Sequence, residues 1–343
     1  MSEFILHSDI KQELVAQKEK LKLGVPTVVK IGGSVGAQQA NILGNIAFLH
    51  QEVGIPLVIV HGGGPEIDVA LKDQGINPQK VDGLRVTDED TLGVVVSTLN
   101  GINHKLTDSL QNLGVNALGF AADSGLLEAV IENPKLGFVG NISSVNSTCL
   151  TAHLSEGVIP VITPLGTMQE NNGQFLNING DTAAGAIAKS LGANLLLVTD
   201  VPGVMDSNGT VIPSVNKDSY QQMIAEGTIT FGMIPKLEAG FQVADLSCKV
   251  VICQAEDLLH FFTDNPKGTF ITELSEKEIK ATQKKKAFNE MSQQVDTYKA
   301  EGRLVPEWVF QNHWILDYWL SVNVSGWESK YGFLTKKGNE RFL

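Results

Sequence analysis

The stretch LNINGDTAAGAIAKSLGANLLLVTDVPGVMD, residues 176–206, decides the fold. It reads as a polar loop with Asn177, Asn179 and Asp181, a helix of small residues, an apolar strand, and a second polar loop that begins at Asp200. Both loops therefore lie next to a buried strand. In an open α/β sheet, ligands bind just beyond the carboxyl ends of the strands, so this stretch predicts part of a binding site.

Composition places the chain among ordinary globular proteins. Its 343 residues are enough for one large α/β domain or two smaller ones, and 43% of them are hydrophobic and 19% charged. The three cysteines have no zinc or redox spacing and are expected to be free thiols. The first residues lack the pattern of a signal peptide, and no apolar run reaches the roughly 20 residues of a membrane helix. We expect a cytoplasmic protein without membrane contact.

The formal net charge of −12 argues against nucleic-acid binding, which needs clustered lysines and arginines. A small anionic substrate is compatible with this charge, because a local basic site can exist in an acidic protein. Phosphate chemistry would then depend on a few placed lysines and on backbone N–H groups.

The first predicted strand, residues 27–31, carries Lys30 within an apolar, β-branched run and leads into Gly32 and Gly33. Burying an unpaired ammonium is costly. The lysine either extends from a strand end to water or faces an anionic ligand. The adjacent glycines permit close backbone approach to phosphate and favour the second interpretation.

A second predicted strand, residues 55–60, ends in the sequence HGGGPE from His61 to Glu66. Glycines followed by proline at a helix start predict an anion site at the positive end of that helix. The spacing matches neither GxxxxGK[ST] nor GxGxxG, which disfavours those nucleotide-binding architectures. His61 could act as an acid or base, but a structural role is favoured for a histidine at a strand end.

Two further segments complete the N-terminal half. Arg85, in a glycine-containing turn before a helix predicted near residues 90–113, suits carboxylate recognition. Residues 8–22 predict a helix with Asp9 as its cap and a thin apolar stripe of Ile10, Leu14 and Leu21. That stripe leaves open an oligomer contact or a plain surface helix.

Eight segments occur in the order of a known family. They are VKIGGS, IVHGGGP, KVDGLRVTDEDTL, LGFVGNISSVN, VIPVITPLG, FLNINGDTAA, LLLVTDVPGVMD and TFGMIPKLEAG. Together they resemble the amino-acid kinase superfamily, and GLRVTD resembles its N-acetylglutamate kinases. The resemblance covers about residues 26–272. It implies a three-layer αβα sandwich around a mainly parallel open sheet.

The resemblance implies transfer of the γ-phosphoryl group of ATP to a side-chain carboxylate, with Mg²⁺ held mainly by the nucleotide phosphates. It makes Lys30 and Lys236 the stabilising cations and Asp181 the residue that orients them. A lysine early in a helix, as at Lys236, is unfavourably placed unless an anion lies there. Helix capping is the alternative role of Asp181, and both roles can hold at once.

The other site residues also follow from the resemblance. The predicted amino-acid substrate residues are Gly63, Gly64, Arg85 and Asn177. The predicted nucleotide residues are Gly32, Gly33, Thr199, Asp200, Val201, Pro202, Gly203, Val204, Met205, Gly232 and Met233. No metal site built from protein ligands alone is predicted. The loop at residues 119–129 has fewer glycines than is usual in the family, which leaves the identity of the acyl group open.

The C-terminal segment departs from the family. We predict an N-terminal helix in residues 1–25, the kinase domain in residues 26–272, and a helical, aromatic-rich extension in residues 273–343. A charged helix is expected at residues 275–302, and a second helix from Pro306 has aromatic side chains on more than one face. These aromatics favour packing on the kinase domain or a neighbouring subunit over a separate binding module.

Two classes of function follow. The first is an N-acetylglutamate kinase of arginine biosynthesis, expected as a homo-oligomer, either a dimer or a hexamer, with arginine as an effector. The N-terminal helix resembles that of ring-forming, arginine-inhibited members. The second is a non-catalytic kinase-fold protein that binds partners through the aromatic tail. The three charged residues at positions 30, 181 and 236 favour catalysis. Within the enzyme class, a kinase of an acetylated or carrier-linked aminoadipate stays open.

Overall fold

A computed structural model of the chain describes residues 2–22, 25–81, 83–131, 133–168, 173–229, 232–244 and 248–273, with Gln293, Thr297 and Ala300. The chain divides into two compact units, Met1–Glu273 and Leu274–Leu343. The three described residues of the second unit are helical. Otherwise the helices predicted at residues 275–302 and from Pro306 lie outside the described residues. The functional division of the chain into three segments stays a prediction.

Helices and strands alternate along the first half of the chain. In order, they are α1 (Ser2–Ala16), α2 (Lys18–Lys22), β1 (Thr27–Ile31), α3 (Gln39–Phe48), β2 (Leu57–His61), α4 (Gly64–Asp73), β3 (Lys80–Val81), β4 (Leu84–Arg85), α5 (Glu89–Asn112) and β5 (Ala117–Phe120). A 3₁₀ turn, Gly33–Gln38, joins β1 to α3. The predicted first strand is confirmed, and the second begins two residues later than predicted.

The remaining elements complete two sheets and the second helical layer. In order, they are β6 (Leu127–Ile131), β7 (Gly140–Val145), α6 (Ser147–Ser155), β8 (Ile159–Ile162), β9 (Leu165–Met168), β10 (Gln174–Asn177), α7 (Gly180–Leu191), β11 (Asn194–Thr199), β12 (Ser214–Val215), α8 (Lys217–Ala225), α9 (Ile234–Phe241), β13 (Val250–Gln254) and β14 (Thr269–Ile271). A 3₁₀ segment, Ala255–Phe262, follows β13.

The main sheet has eight strands in the order β12-β14-β13-β11-β1-β2-β8-β5. The six strands from β13 to β5 are parallel to one another. At the other edge, β14 runs antiparallel to β13 and carries the short β12 parallel to itself. The predicted mainly parallel open sheet is confirmed.

Side chains alternate along each buried strand, so apolar residues point to both faces of this sheet. Helices cover both faces and bury these residues. In β1, Val29 and Ile31 pack with the core that contains α1, α3 and part of α5. Val28 belongs to the opposite core, with apolar residues of α6, α7 and α9. The predicted three-layer αβα architecture is therefore confirmed. The same alternation places Lys30 on the α7 side.

A second sheet has four strands in the order β10-β9-β6-β7, and its strand β10 leads into α7. One glycine is essential to its attachment. Gly137 has φ +72°, and a Cβ there would collide with the Thr87 carbonyl oxygen. Phe138 N donates to that oxygen at 2.7 Å, and Asn177 N donates to the Phe138 carbonyl at 2.8 Å. The LGFVG motif thus brings Asn177 close to Thr87.

The N-terminal helix packs within its own chain. Ile10 and Leu14 are buried in the core on the α3 side, and Leu21 packs against that core. The predicted apolar stripe therefore has a partner inside the protein. The predicted cap is wrong: α1 begins at Ser2, so Asp9 lies in the helix interior. Among the helices in the described part of the chain, none has both the length and the apolar content to cross a bilayer.

Candidate active site

Lys30 lies near the carboxyl end of β1, where its side chain is 8% exposed. Its Nζ forms an ion pair with Asp181 Oδ1 at 3.0 Å. Of the two interpretations given by the sequence, extension to water is excluded by this burial. The ammonium instead faces the first turn of α7, which packs on the same face of the sheet.

Asp181 is held at that turn by its neighbour. Asn179 caps α7, because its Oδ1 accepts from Asp181 N at 2.8 Å and from Thr182 N at 3.2 Å. The alternative in which Asp181 caps the helix is therefore wrong. Since Asn179 satisfies the backbone, the Asp181 carboxylate is available for cations.

Lys236 completes the cluster from the first turn of α9. Its Nζ donates to Asp181 Oδ2 at 3.1 Å and to the Gly232 carbonyl at 3.3 Å. One carboxylate thus joins two lysines, one on each oxygen. We name Lys30, Asp181 and Lys236 the lysine–aspartate triad. The structure brings together all three residues predicted to be catalytic.

A close helix crossing sets the distance between Asp181 and Lys236. A Cβ at Gly185 would lie 2.9 Å from the Ala239 carbonyl oxygen and 3.0 Å from the Ala239 Cβ. Gly185 follows Asp181 by four residues, and Ala239 follows Lys236 by three, so the contact lies one helical turn from the ion pair. Glycine at residue 185 lets α7 and α9 approach closely enough for that pair.

With both lysines protonated, the triad has two positive charges and one negative charge. Burial raises the pKa of the Asp181 carboxyl, but the Lys30 and Lys236 ammonium groups outweigh it and hold this pKa below its ordinary value. Burial lowers the pKa of Lys30; Asp181 opposes this shift and Lys236 adds to it. Asp181 is therefore ionised at neutral pH. Two cations sharing one anion leave an attraction for a further anion.

The predicted glycines lie in tightly packed turns, and Gly180, which was not predicted, lies against the triad. A Cβ at Gly180 would lie 3.4 Å from Lys30 Cε, and one at Gly33 would lie 2.7 Å from Pro65 Cδ. A Cβ at Gly63 would come within 2.8 Å of α5 side chains. Gly32 N and Gly62 N donate to strand carbonyls at 3.3 and 2.8 Å, which continues the sheet hydrogen bonding into both turns. The two glycine turns thus form the edge of the sheet beside Lys30.

The predicted amino-acid residues form a connected group. Arg85 is 8% exposed, and its Nη2 donates to the Gly64 carbonyl at 3.2 Å. Asn177 Nδ2 donates to Thr87 Oγ1 at 3.1 Å, and that hydroxyl donates to the Arg85 carbonyl at 2.9 Å. Gly64, Arg85 and Asn177 are therefore linked through Thr87, which the sequence reasoning missed.

The predicted nucleotide residues other than Gly32 and Gly33 occupy two segments. Residues 199–205 leave the carboxyl end of β11, where Val204 N donates to Thr269 Oγ1 at 2.8 Å and Met205 pairs with Val211. The charge of Asp200 raises the pKa of Lys30, though less than the charge of Asp181 does. Gly232 and Met233 precede α9, where Gly232 binds Lys236. A cavity of about 230 Å³ is lined by Asp206, which directly follows the first segment, and by residues that include Met223 and Thr228.

His61 is buried, and both of its ring nitrogens contact polar groups of the fold. It is 1% exposed, its Nδ1 lies 3.0 Å from the Gly62 carbonyl, and its Nε2 lies 3.4 Å from Asn103 Nδ2. Burial lowers the pKa of His61 to about 4, although its bond to Gly62 opposes this. The ring is therefore neutral at physiological pH, and it holds the first glycine of the HGGG turn against α5.

In the described part of the chain, no group of three or more His, Cys, Asp or Glu side chains could hold a metal ion. Asp181, the most buried carboxylate of the site, is committed to the two lysines.

A buried lysine and a partly buried lysine joined by one carboxylate, at the edge of a parallel sheet beside glycine turns, define an α/β enzyme with a cationic site. The model of the amino acid kinase family matches residues 26–254. This chain belongs to the amino acid kinase family.

Individual relatives agree with this assignment. The acetylglutamate kinase of Cereibacter sphaeroides is 39% identical over 258 residues, which cover 72% of this chain and 88% of the relative. That of Geobacillus stearothermophilus is 42% identical over 221 residues, or 63% and 84% of the two chains. The crystal structure of smu.665 from Streptococcus mutans UA159 is 33% identical with a TM-score of 0.64, covering 72% of this chain and 98% of that one.

The depressed pKa of His61 predicts an acid-sensitive stability. Above about pH 6.5, the histidine is neutral in both the folded and the unfolded chain. As pH falls toward 4, the unfolded chain binds a proton that the folded protein does not, so stability is lost. The loss attributable to His61 is about 3 kcal/mol. Urea unfolding of the wild type and His61→Gln from pH 7 to 4 measures it as the difference between two curves.

The exposed His104 supplies the control for this experiment. His104→Gln should leave the curve of the wild type unchanged in shape. Parallel curves for the wild type and His61→Gln would contradict a neutral, buried His61.

The helix crossing predicts opposite effects for two glycine-to-alanine changes. Gly44→Ala in α3 has open space for the methyl group and should gain up to about 1 kcal/mol from helix propensity. Gly185→Ala meets the Ala239 backbone and should lose about 1–3 kcal/mol despite the same gain in propensity. Free energies of unfolding from urea titration check both values. Equal stabilisation of the two variants would show that α7 and α9 are not in close contact.

Proposed function

We propose that this protein transfers the γ-phosphoryl group of ATP to the side-chain carboxylate of N-acetyl-L-glutamate, as a step of arginine biosynthesis. The single observation that carries the proposal is the lysine–aspartate triad, with Lys30 and Lys236 on the two oxygens of Asp181. The substrate assignment is supported by acetylglutamate kinases 39–42% identical to this chain.

The chemistry suits this triad. A carboxylate oxygen of the substrate forms a bond to the γ-phosphorus, and the bond from that phosphorus to the bridging oxygen breaks, which releases ADP and an acyl phosphate. Negative charge on the transferred group and the departing phosphate must be stabilised during the step. In this proposal Lys30 and Lys236 supply that stabilisation without forming a covalent intermediate.

Asp181 acts as an organising residue in this proposal. It fixes both ammonium groups through its two oxygens and keeps them near each other in spite of their repulsion. Because the pKa of Asp181 is lowered, the carboxylate does not take a proton from the reaction at neutral pH. Its function is to position charge, and general acid or base chemistry is not required of it.

The acetylated amino acid would bind on the Arg85 side. Arg85 would bind the carboxylate that does not react, with Gly63 and Gly64 lining the same end of the site. Asn177 would donate or accept hydrogen bonds from its place beside Thr87. The linked hydrogen bonds among these residues support a shared role in one ligand site.

The residues around the triad also fit ATP. The net positive charge of the triad and the glycines at residues 32 and 33 suit phosphate oxygens, and residues 199–205 with Gly232 and Met233 would hold the rest of the nucleotide. Magnesium bound to the nucleotide would neutralise phosphate charge, with phosphates and water as its main ligands.

We also propose a cytoplasmic homo-oligomer, a dimer or a hexamer, with arginine as an effector. The assembly and the effector rest on the resemblance of the N-terminal helix to that of ring-forming, arginine-inhibited family members.

The first test is formation of an acyl phosphate. The protein is incubated with MgATP, hydroxylamine and one candidate acceptor, and the hydroxamate is measured. We expect product with N-acetylglutamate and little with glutamate, aspartate or aminoadipate derivatives, because relatives of this identity are acetylglutamate kinases. Preference for an aminoadipate derivative would show that the substrate is not N-acetylglutamate. No hydroxamate from any of them would favour the non-catalytic alternative.

The second test removes one lysine of the triad. Lys236→Ala should lower kcat by about a hundred-fold or more, because a cation next to the transferred group is lost. Lys217→Ala is the matched control, since Lys217 is 63% exposed and pairs only at the surface with Glu273. Thermal unfolding establishes that both variants fold. Wild-type turnover in Lys236→Ala would show that the role assigned to this residue is wrong.

A further inference from the structure

A second group of charges lies outside the lysine–aspartate triad. Arg85 Nη2 contacts Asp68 Oδ1 as an ion pair, and Lys80 Nζ binds Asp68 Oδ2 at 2.9 Å. Lys80 and Arg85 are directly opposite each other in the antiparallel pair β3–β4, so both can reach the same residue of α4. We name Asp68, Lys80 and Arg85 the arginine cluster.

One guanidinium nitrogen of Arg85, Nη1, has no hydrogen-bond partner in the described part of the chain. Its side chain is 6% exposed, and Nη2 is occupied by Asp68 and the Gly64 carbonyl. Nη1 is buried and has no hydrogen-bond partner among the described residues. Buried guanidinium N–H groups are costly to leave unpaired, so an unpartnered one indicates an acceptor supplied from elsewhere. A ligand carboxylate is the acceptor that the planar guanidinium fits best.

Asp68 determines which part of the guanidinium is free. Its ion pair with Nη2, together with the hydrogen bond from Nη2 to the Gly64 carbonyl, restricts the orientation of the group. Lys80 offsets the charge of Asp68, so the cluster of two cations and one anion retains a positive charge. If Lys80 were absent, Asp68 would neutralise much of the attraction of Arg85 for an anion.

We propose that Asp68 is a positioning residue that orients Arg85, so that Nη1 receives the substrate carboxylate that is not phosphorylated. This inference rests on the proposed function. It assigns to Asp68 the discrimination between a substrate with a free carboxylate at that position and one in which it is blocked. Asp68 itself does not touch the substrate.

The experiment compares the wild type with Asp68→Asn, which keeps the shape and one acceptor oxygen but removes the charge. Steady-state kinetics are measured with N-acetylglutamate, with its α-carboxamide analogue, and with varied ATP. Asp68→Asn should raise KM for N-acetylglutamate about ten-fold and leave kcat and KM for ATP within about two-fold of wild type. The preference for N-acetylglutamate over the carboxamide should fall by a similar factor.

Two further variants make the result specific. Asp73→Asn removes an exposed carboxylate from the same helix and should leave all constants unchanged. Asp68→Glu retains the carboxylate on a longer side chain and should recover part of the lost preference. Thermal unfolding of each variant establishes that it is folded.

Each outcome has a distinct meaning. If the wild type forms the acyl phosphate and Asp68→Asn keeps the wild-type preference, the positioning role is overturned and the proposed function stands. Equal losses in kcat and in KM for ATP would make Asp68 a structural residue and also overturn the proposal. Failure of the wild type to phosphorylate N-acetylglutamate would overturn the proposed function together with this inference.

Discussion

The site depends on one carboxylate that binds two lysines. Asp181 reaches Lys30 with one oxygen and Lys236 with the other, at 3.0 and 3.1 Å. These residues come from β1, α7 and α9, so three distant parts of the chain must meet within a few ångströms. The two ammonium groups would repel each other without the carboxylate, and the buried carboxylate would be unstable there without them.

This cluster is poorly explained by stability. Replacing a buried ion pair by apolar residues of similar volume is often neutral or stabilising, because desolvation offsets much of the attraction. Here one anion meets two cations, so the charges do not balance. The arrangement is best understood as a site prepared for a further anion, since an incoming phosphate or carboxylate would complete it.

Sequence reasoning was most successful where local patterns decide the structure. The β-branched run around Lys30 predicted β1 to the residue. The three-layer fold was implied by the family resemblance that the ordered motifs carry. It failed where two local signals compete. Both Asn179 and Asp181 suit a helix start, and only the folded geometry shows that Asn179 takes the cap. The cap assigned to Asp9 failed because α1 continues seven residues further toward the N-terminus.

Other parts of the site could not be predicted because their partners are distant in the sequence. Gly185 is one of several small residues in α7, and its importance comes from its contact with Ala239. Asp68 reads as an ordinary polar position of an amphipathic helix until β3 and β4 place Lys80 and Arg85 beside it. In both cases residue type gives no signal, because the contact that matters depends on tertiary structure.

The two charged groups share one design with different surroundings. Each has two cations on one aspartate, yet the side chain of Asp181 is 6% exposed and that of Asp68 is 28% exposed. In the buried triad, low polarity strengthens the residual charge, which suits stabilisation of charge that develops during phosphoryl transfer. In the arginine cluster, Asp68 and Lys80 are more exposed, so water screens part of their charge, and recognition relies more on the shape and orientation of the buried guanidinium. This difference explains why lysines occupy the first group and an arginine provides the free donor in the second.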